Sequence, residues 1–334
     1  ALAVKPMPAK KLRWGLLSTA RINRAVIPPI RASARGKLAA VASRDLAKAE
    51  AYANEWNIPK AYGSYEALLA ANDIDVVYLS LPNGLHAEWA IKCVEAGKHV
   101  LVEKPFALTV ADVDKMADAA KRTGKVMAEA FMYRHHPQTL KAKELIENGA
   151  IGEALLVRAS FTFNLTRTVD VRLDPTLGGG SLWDVGCYPI SLAQYIFDGP
   201  PVEAVGWQTP DPTGVDGSFV GQLRYSGDRF AQFDCGLRSP FRTCAEIVGR
   251  SGTITLTQPF KPDTTSKLIL RRNDADEIIS APDRQLYEGE VEDLHDAILN
   301  GASPRVSLAD SRGHVATIVA LHESARTGKP VQVS

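Results

Sequence analysis

The stretch LRWGLLSTARINRAV, Leu12 to Val26, joins a short apolar run to a helix-like segment through a turn. This is where the G-x-G-x-x-G turn of a dinucleotide-binding fold would lie. Here the three glycine positions hold Ser18, Ala20 and Asn23. Small side chains still let backbone N–H groups approach a phosphate wherever φ is negative. The stretch therefore fits a phosphate loop or an ordinary strand-to-helix turn, and the rest of the chain must decide.

Composition narrows the class of protein. The chain has 334 residues, of which 45% are apolar and 23% charged, which is enough for two domains with a sizeable core. Its 39 basic and 38 acidic side chains leave a net charge of +1, so no broad electrostatic surface for nucleic acid or an acidic membrane is expected. Small-molecule partners are the expectation.

The cysteines and the N-terminal segment bear on location. The four cysteines lack C-x-x-C spacing, which indicates neither a zinc ribbon nor a disulfide framework. We therefore expect a reducing, cytoplasmic compartment. The opening ALAVKPMPAKK reads as a flexible arm without the apolar segment of a secretory signal, although a removed leader stays open because the chain begins with Ala1.

From Lys11 to about Ala130, short apolar runs alternate with helix-like segments. The runs LRWGLL, KLAAVAS, DVVYLSLP, HVLVEKP and KVMAEAF begin at Leu12, Lys37, Asp75, His99 and Lys125. Runs rich in Val, Leu and Ile are typical of strands covered on both faces, and helices between them imply parallel crossovers. We predict an α/β chain whose first domain, residues 11–134, is a Rossmann domain with a doubly wound parallel sheet.

Beyond that boundary the pattern changes to period two. Val157, Ala159, Phe161 and Phe163 share one face of a predicted strand, and Arg158, Ser160 and Thr162 share the other. With turn signals at Gly227 and Gly252, this predicts a C-terminal α+β domain, residues 135–334, on a mostly antiparallel open sheet. The outer face of this sheet is expected to form the contact between subunits of a homo-oligomer, a dimer or tetramer. A monomer with a polar outer face is the alternative.

Ligands of open parallel sheets bind beyond the carboxyl ends of the strands. After the first run these positions are Ser18, Thr19, Ala20, Arg21 and Ile22, and after the second they are Ser43 and Arg44. An acidic residue at the second strand end holds the ribose hydroxyls of NAD, whereas an arginine pairs with the 2′-phosphate of NADP. NADP is the expected cofactor, with NAD as the alternative. By itself, Arg44 could equally be a solvated cation, with Asp45 capping the next helix.

The next two strand ends bring further polar side chains to the same rim. They carry Leu81, Pro82, Asn83 and His86, followed by Glu103 and Lys104. An ammonium near a reacting carbon–oxygen bond stabilises the developing alkoxide and lowers the pKa of a neighbouring phenol, so Lys104 is a candidate catalytic group. Taken alone, however, a lysine at a strand end is usually just exposed.

The stretch GGGSLWDVGCYPI, Gly178 to Ile190, supplies the second half of a candidate site. Three glycines precede a predicted helix in which Asp184 and Tyr188 stand four residues apart on one face. A carboxylate at that spacing can orient a general acid/base. The alternative is a glycine-rich turn into a buried helix with a structural tyrosine.

Five motifs in order resemble the Gfo/Idh/MocA family of NAD(P)-dependent oxidoreductases, from about Arg13 to Val333. They are the first turn, P-N-x-x-H at Pro82 to His86, E-K-P at Glu103 to Pro105, Y-R-H-H-P at Tyr133 to Pro137, and G-G-G-x-L-x-D-V-G-x-Y at Gly178 to Tyr188. Many members end the last motif in histidine. The tyrosine here resembles the branch with glucose-fructose oxidoreductase, dimeric dihydrodiol dehydrogenase and NADP-dependent D-xylose dehydrogenase, whose members can tolerate small non-glycine residues in the first turn.

The resemblance implies that Lys104 and Tyr188 form the catalytic pair, with Asp184 in support. The expected reaction moves a hydride between NADP and a hydroxyl or carbonyl carbon of a sugar, polyol or diol. Arg134, His135 and Arg172 are candidates for contacts to substrate hydroxyls, together with Asp184 and Tyr188, although the first two could equally form interdomain links. No metal is expected, because His135 and His136 are adjacent and no cysteine cluster accompanies them.

Two other functions share this scaffold. One is an oxidoreductase for a sugar nucleotide or an inositol, which the segment from Phe163 to Arg172 would decide. The other is a cofactor-binding sugar sensor without catalysis. A pure sensor needs no acid/base pair, so Lys104 and Tyr188 favour an enzyme.

Overall fold

The computed structural model describes residues 11–334 and contains two sheets flanked by helices. Its strands are β1 Leu12–Leu17, β2 Gly36–Ala42, β3 Lys60–Tyr62, β4 Val76–Leu79, β5 His99–Glu103, β6 Met127–Ala130, β7 Ala154–Asn164, β8 Glu203–Pro210, β9 Asp216–Tyr225, β10 Arg229–Gly236, β11 Arg238–Gly249, β12 Thr253–Leu256, β13 Leu268–Arg272, β14 Ala275–Ile279 and β15 Val331–Gln332. Its α-helices are α1 Asn23–Ala32, α2 Leu46–Trp56, α3 Tyr65–Ala70, α4 His86–Glu95, α5 Val110–Thr123, α6 Pro137–Glu147, α7 Cys187–Phe197, α8 Glu288–Asn300 and α9 Leu308–Thr327. The predicted flexible arm runs from Ala1 to Lys11, and its first ten residues lie outside the described residues.

The first sheet is the predicted Rossmann sheet. Its order is β3-β2-β1-β4-β5-β6, and every neighbouring pair is parallel. The strands are buried because helices cover both faces, which explains their nearly unbroken apolar runs. The chain order reverses between β1 and β4, and in such sheets the crevice at this switch point receives the ligand.

The second sheet has nine strands in the order β14-β13-β12-β11-β7-β10-β9-β8-β15. Only β7 and β10 pair in parallel, so the prediction of a mostly antiparallel sheet is confirmed. Val157, Ala159 and Phe161 face the core as predicted. The outer face is less open than expected, because Ser160 and Thr162 are also buried and donate hydrogen bonds to neighbouring strands.

Helix α8 connects the two halves in a way that the chain order does not suggest. It belongs to the second half, yet Val291 and Leu294 pack into the core beneath the first sheet. Trp14 Nε1 of β1 lies 3.0 Å from His295 Nε2, and Arg35 forms ion pairs with α8. The predicted boundary at residue 134 stays a prediction. Within the described residues, no helix is both long and apolar enough to cross a bilayer.

Candidate functional site

A cavity of about 870 Å³ lies where strand ends of the first sheet meet β7, β11 and the segment before α7. Most of the residues predicted for cofactor, substrate or catalysis line it: Ser18, Thr19, Ala20, Arg21, Ile22, Ser43, Arg44, Leu81, Pro82, Asn83, Glu103, Lys104, Arg172, Asp184 and Tyr188. Residues separated by up to about half of the chain are therefore brought together. This size falls in the range of small-molecule and cofactor pockets.

Three predicted site residues are not in the cavity wall. His86 is fully buried, with each ring nitrogen 2.8 Å from a backbone carbonyl oxygen, of Leu81 and of Pro105, so it ties two strand-end loops together. Arg134 is 4% exposed and stacks its guanidinium 3.9 Å from the ring centre of Tyr195. His135 is equally buried, and burial lowers its pKa to about 3. These three side chains therefore have structural partners and do not line the cavity, unlike the other predicted site residues.

The glycine-poor turn is held by side-chain hydrogen bonds. Ser18 adopts a φ of 139°, a backbone region that glycine favours, so the expected negative φ is wrong at this position. Its Oγ lies 2.9 Å from Ser80 Oγ and accepts a hydrogen bond from the N–H of Ala20. Asn23 Nδ2 donates to the Ser18 carbonyl at 2.8 Å, and Asn23 Oδ1 accepts from Ser80. The Ser18 hydroxyl is thus used to shape the loop.

The turn is suited to bind phosphate through its backbone. Helix α1 begins directly after it, without a side-chain cap and without an acidic residue in its first turn. The N–H groups of Asn23 and Ala25 donate to carbonyls within the turn, whereas those of Arg21 and Ile22 form no backbone hydrogen bond within the described residues and lie at the positive end of the helix dipole. Because Thr19 and Ala20 are small, a diphosphate has room to approach. The residues present therefore fit a dinucleotide.

The end of β2 carries more positive charge than we expected. Arg44 and Lys48 both line the cavity and are exposed, and Arg21 adds a third cation at this end. Asp45 caps α2 by accepting a hydrogen bond from the N–H of Lys48 at 3.2 Å, as predicted. The sequence prediction missed Lys48, although a residue four positions after Arg44 in the first turn of α2 was a usable signal.

A network of ion pairs forms the catalytic end of the cavity. Lys104 Nζ donates to the Asp184 carbonyl at 2.6 Å and to Asp184 Oδ1 at 3.1 Å. Arg172 Nε donates to Asp184 Oδ2 at 2.7 Å. Burial alone would lower the pKa of Lys104, but the influences of Asp184, Cys187 and Glu103 together outweigh burial and raise it. Burial likewise opposes ionisation of Asp184, whose pKa Lys104 and Arg172 nevertheless lower.

Tyr188 lies beside this network in an aromatic cluster. Lys104 Nζ is 5.1 Å from the centre of its ring, and the hydroxyl faces Met132 Sδ at 3.6 Å. Burial, followed by the influence of Tyr287, raises the pKa of the Tyr188 phenol well above its ordinary value. The sequence predicted that Lys104 would lower this pKa, but in this arrangement the effect of burial is larger. The phenol is therefore protonated at neutral pH and can serve as an acid.

The segment that carries Asp184 is a π-helical stretch, Leu182–Gly186, which runs directly into α7. A helix is present as predicted, although its first part is π-helical, and Asp184 and Tyr188 line the same cavity. Asp216 fixes the start of the stretch, because its Oδ2 accepts from Ser181 Oγ at 2.6 Å and from the N–H of Leu182 at 2.7 Å. Gly180 has a φ of 117°, and a Cβ there would collide with this carboxylate.

Several lining residues were absent from the sequence prediction. They are Lys48, Arg167, Asp170 and Lys261 among charged side chains, and Tyr65, Phe161, Phe163, Phe241 and Tyr287 among aromatic ones. Most come from loops or strands of the second half, where no motif marks them. Asp170 explains the placement of Arg172, since Arg172 NH1 donates to Asp170 Oδ1 at 3.1 Å. Arg172, predicted to touch substrate, therefore holds Asp184 in place.

Comparison with known proteins places this geometry in a family. Residues 12–131 match the description "Oxidoreductase family, NAD-binding Rossmann fold", and residues 139–255 match the GFO/IDH/MocA C-terminal domain. The chain is 38% identical to D-xylose 1-dehydrogenase (NADP(+)) 2 of Haloferax volcanii over 96% of this chain and 100% of that protein. It is 32% identical to trans-1,2-dihydrobenzene-1,2-diol dehydrogenase of Xenopus laevis over 92% of this chain and 96% of that protein.

A solved structure extends the match to three dimensions. KijD10, a 3-ketoreductase from Actinomadura kijaniata in complex with NADP and TDP-benzene, superposes with a TM-score of 0.88 at 29% identity, covering 94% of this chain and 98% of that one. Both halves of the chain are thus similar to enzymes in sequence and fold. The predicted family is confirmed, and the chain belongs to the Gfo/Idh/MocA family of oxidoreductases.

Proposed function

We propose that this chain is an NADP-dependent oxidoreductase acting on a hydroxyl or carbonyl carbon of a sugar, polyol or diol. The observation that carries the proposal is the convergence of Lys104, Asp184 and Tyr188 in the cavity that also holds the phosphate-binding turn. Relatives named for D-xylose and for a dihydrodiol support this substrate class. The proton and the cofactor thus reach the same substrate carbon–oxygen bond.

The bound nicotinamide would accept or supply the hydride. Tyr188, protonated at rest, donates its phenolic proton to the carbonyl oxygen during reduction and takes the proton back during oxidation. The ammonium of Lys104 stabilises negative charge on the substrate oxygen or on the phenolate. Asp184 and Arg172 act through Lys104, because their ion pairs keep the ammonium charged and in place. Phe161 and Met132 exclude water from the phenol.

For the cofactor, the choice of NADP rests on Arg44 with Ser43, and Lys48 strengthens it. A 2′-phosphate brings up to two negative charges to the end of β2, where no carboxylate within the described residues pairs with Arg44 or Lys48. The turn from Ser18 to Ile22 would hold the diphosphate through backbone N–H groups. Leu81, Pro82, Asn83 and Glu103 line the same cavity and would contact the cofactor.

A nucleotide-linked sugar is the second candidate substrate. The mouth of the cavity has exposed apolar side chains, with Phe241 58% and Val169 90% exposed, on which a base could stack. KijD10, whose complex contains TDP-benzene, supports this candidate. The two candidates differ in what fills the mouth, not in the chemistry at Tyr188.

We also propose that the chain forms a homo-oligomer, a dimer or tetramer, through the outer face of the second sheet. Trp207 and Val220 are cross-strand partners on that face and are 59% and 52% exposed, and Phe230 is 44% exposed. Several exposed apolar side chains on one sheet face are typical of contact surfaces. The mass in solution should be a multiple of 36.2 kDa, and a monomer across micromolar concentrations would exclude the proposal.

A substrate panel tests the proposed function. Aldoses, polyols, trans-diols and a dTDP-sugar are supplied with NADP or NAD, and reduced nicotinamide is followed by its absorbance. We expect turnover of at least one aldose, polyol or diol, with NADP preferred. Turnover confined to the dTDP-sugar supports the second candidate, and no turnover of any compound despite NADP binding contradicts both.

A further inference from the structure

The charged residues of the cavity wall do not balance. The cations are Arg21, Arg44, Lys48, Lys104, Arg167, Arg172 and Lys261, against the carboxylates of Glu103, Asp170 and Asp184. The chain as a whole carries only +1. The first three cations lie at the end assigned to the cofactor phosphates. The other four share the catalytic half with the three carboxylates.

Within the catalytic half, one cation is left over. Asp184 pairs with Lys104 and Arg172, and Asp170 pairs with Arg172 and Arg167. Glu103 instead accepts the hydroxyl of Tyr78. Lys261 has no carboxylate within ion-pairing distance in the described part of the chain, and its ammonium lies 5.8 Å from the ring centre of Phe161.

The position of Lys261 is set by the residue before it. Phe260 is fully buried and packs against the rings of Tyr188 and Phe161, at 5.5 and 5.7 Å between ring centres. The backbone at Lys261 is therefore anchored next to the catalytic phenol, while its side chain reaches the mouth of the cavity. Partial burial, with the like charge of Lys104, lowers the pKa of Lys261. The Lys261 residue is nevertheless exposed to solvent, so its ammonium is hydrated and remains available to an anionic ligand.

We propose that Lys261 binds an anionic group of the substrate, a carboxylate or a phosphate, that lies away from the reacting carbon. This inference rests on the proposed function and deepens it, because it predicts that an acidic or phosphorylated sugar is preferred over a neutral one. The aromatic side chains Phe161, Phe163 and Phe241 then cover the apolar face of the same sugar. Lys261 is a specificity-determining residue and takes no part in the proton transfer.

Three substrates that share a reactive end test the inference: D-glucose, D-glucuronate and D-glucose 6-phosphate. The specificity constant kcat/KM for each is measured with NADP in the wild type, in Lys261→Met and in the control Lys267→Met. Lys267 is an exposed lysine on the same loop that does not line the cavity. In parallel, binding of each compound to the NADPH-saturated protein is titrated by nicotinamide fluorescence, which needs no turnover.

We expect the wild type to favour at least one anionic sugar over glucose, and Lys261→Met to reduce that preference by about tenfold to a hundredfold. The control variant should retain the preference. The compound whose kcat/KM falls in Lys261→Met shows whether carboxylate or phosphate is the ligand. The inference is overturned if the wild type prefers glucose or if Lys261→Met leaves the preference unchanged. Binding of an anionic sugar that depends on Lys261 but gives no turnover supports the inference and contradicts the proposed reaction. Turnover that does not depend on Lys261 supports the proposed reaction and contradicts the inference.

Discussion

At the cofactor end of the cavity, Arg44 and Lys48 are exposed and face no carboxylate among the described residues, whereas at the catalytic end Lys104 and Arg172 share the carboxylate of Asp184. Free cations gain a partner when a phosphate binds, so they contribute to affinity. Paired cations are held in one orientation before substrate arrives, so they contribute to the rate. The difference predicts that substitutions at the two ends will affect different quantities.

The largest effect is expected from Tyr188→Phe, which removes only the phenolic oxygen. General acid/base catalysis is typically worth about 10²–10⁴ in rate, so kcat should fall by that factor. The dissociation constant of NADP should stay the same, because the cofactor end is untouched. Single-turnover kinetics and a cofactor titration measure the two quantities. Retained turnover would remove Tyr188 from its proposed role.

Lys104→Met is expected to lower kcat by about 10²–10³, since it removes the charge that stabilises the developing oxyanion. The same substitution should also change how the oxidation rate depends on pH. Oxidation requires the phenolate of Tyr188, so its rate rises with pH toward the phenol pKa, which burial raises. A neighbouring cation lowers the pKa of a phenol, and its removal must shift this rising limb to higher pH. A limb that stays in place while kcat falls would mean that Lys104 acts on the substrate oxygen alone.

Arg44→Ala tests the comparison at the cofactor end of the cavity. A charge-assisted hydrogen bond contributes about 1.5–3 kcal/mol, so NADP should bind about tenfold to a hundredfold more weakly, while kcat at saturating cofactor is unchanged. NAD, which lacks the 2′-phosphate, should bind as before. Lys48→Ala should act in the same direction. Tighter binding of NAD than NADP by the wild type, or equal weakening of both cofactors, would contradict the NADP assignment.

The same contrast explains what the sequence could predict. Arg44 and Lys104 follow apolar runs directly, and parallel strands place their carboxyl ends at one edge, so local pattern located both. Arg134 and His135 look similar in the sequence but lie buried under α6 to α8, where only tertiary packing assigns them a structural role. Lys261 gave no signal, since its place depends on Phe260 packing against a helix some seventy residues away in the chain.

The smallest effect concerns the turn itself, where Ser18 combines a φ of 139° with hydrogen bonds to Ser80 and Ala20. Ser18→Gly loses the hydroxyl but relieves the backbone, whereas Ser18→Ala loses the hydroxyl and keeps a conformation that side chains disfavour. A residue in such a region typically costs about 1–3 kcal/mol, so the alanine variant should be about 1–2 kcal/mol less stable than the glycine variant. Denaturant unfolding of the two proteins measures this difference directly. NADP should bind to the glycine variant about as well as to the wild type, because backbone N–H groups hold the diphosphate. Equal stability of the two variants would show that the hydrogen bonds alone, and not the backbone conformation, determine which residues this turn accepts.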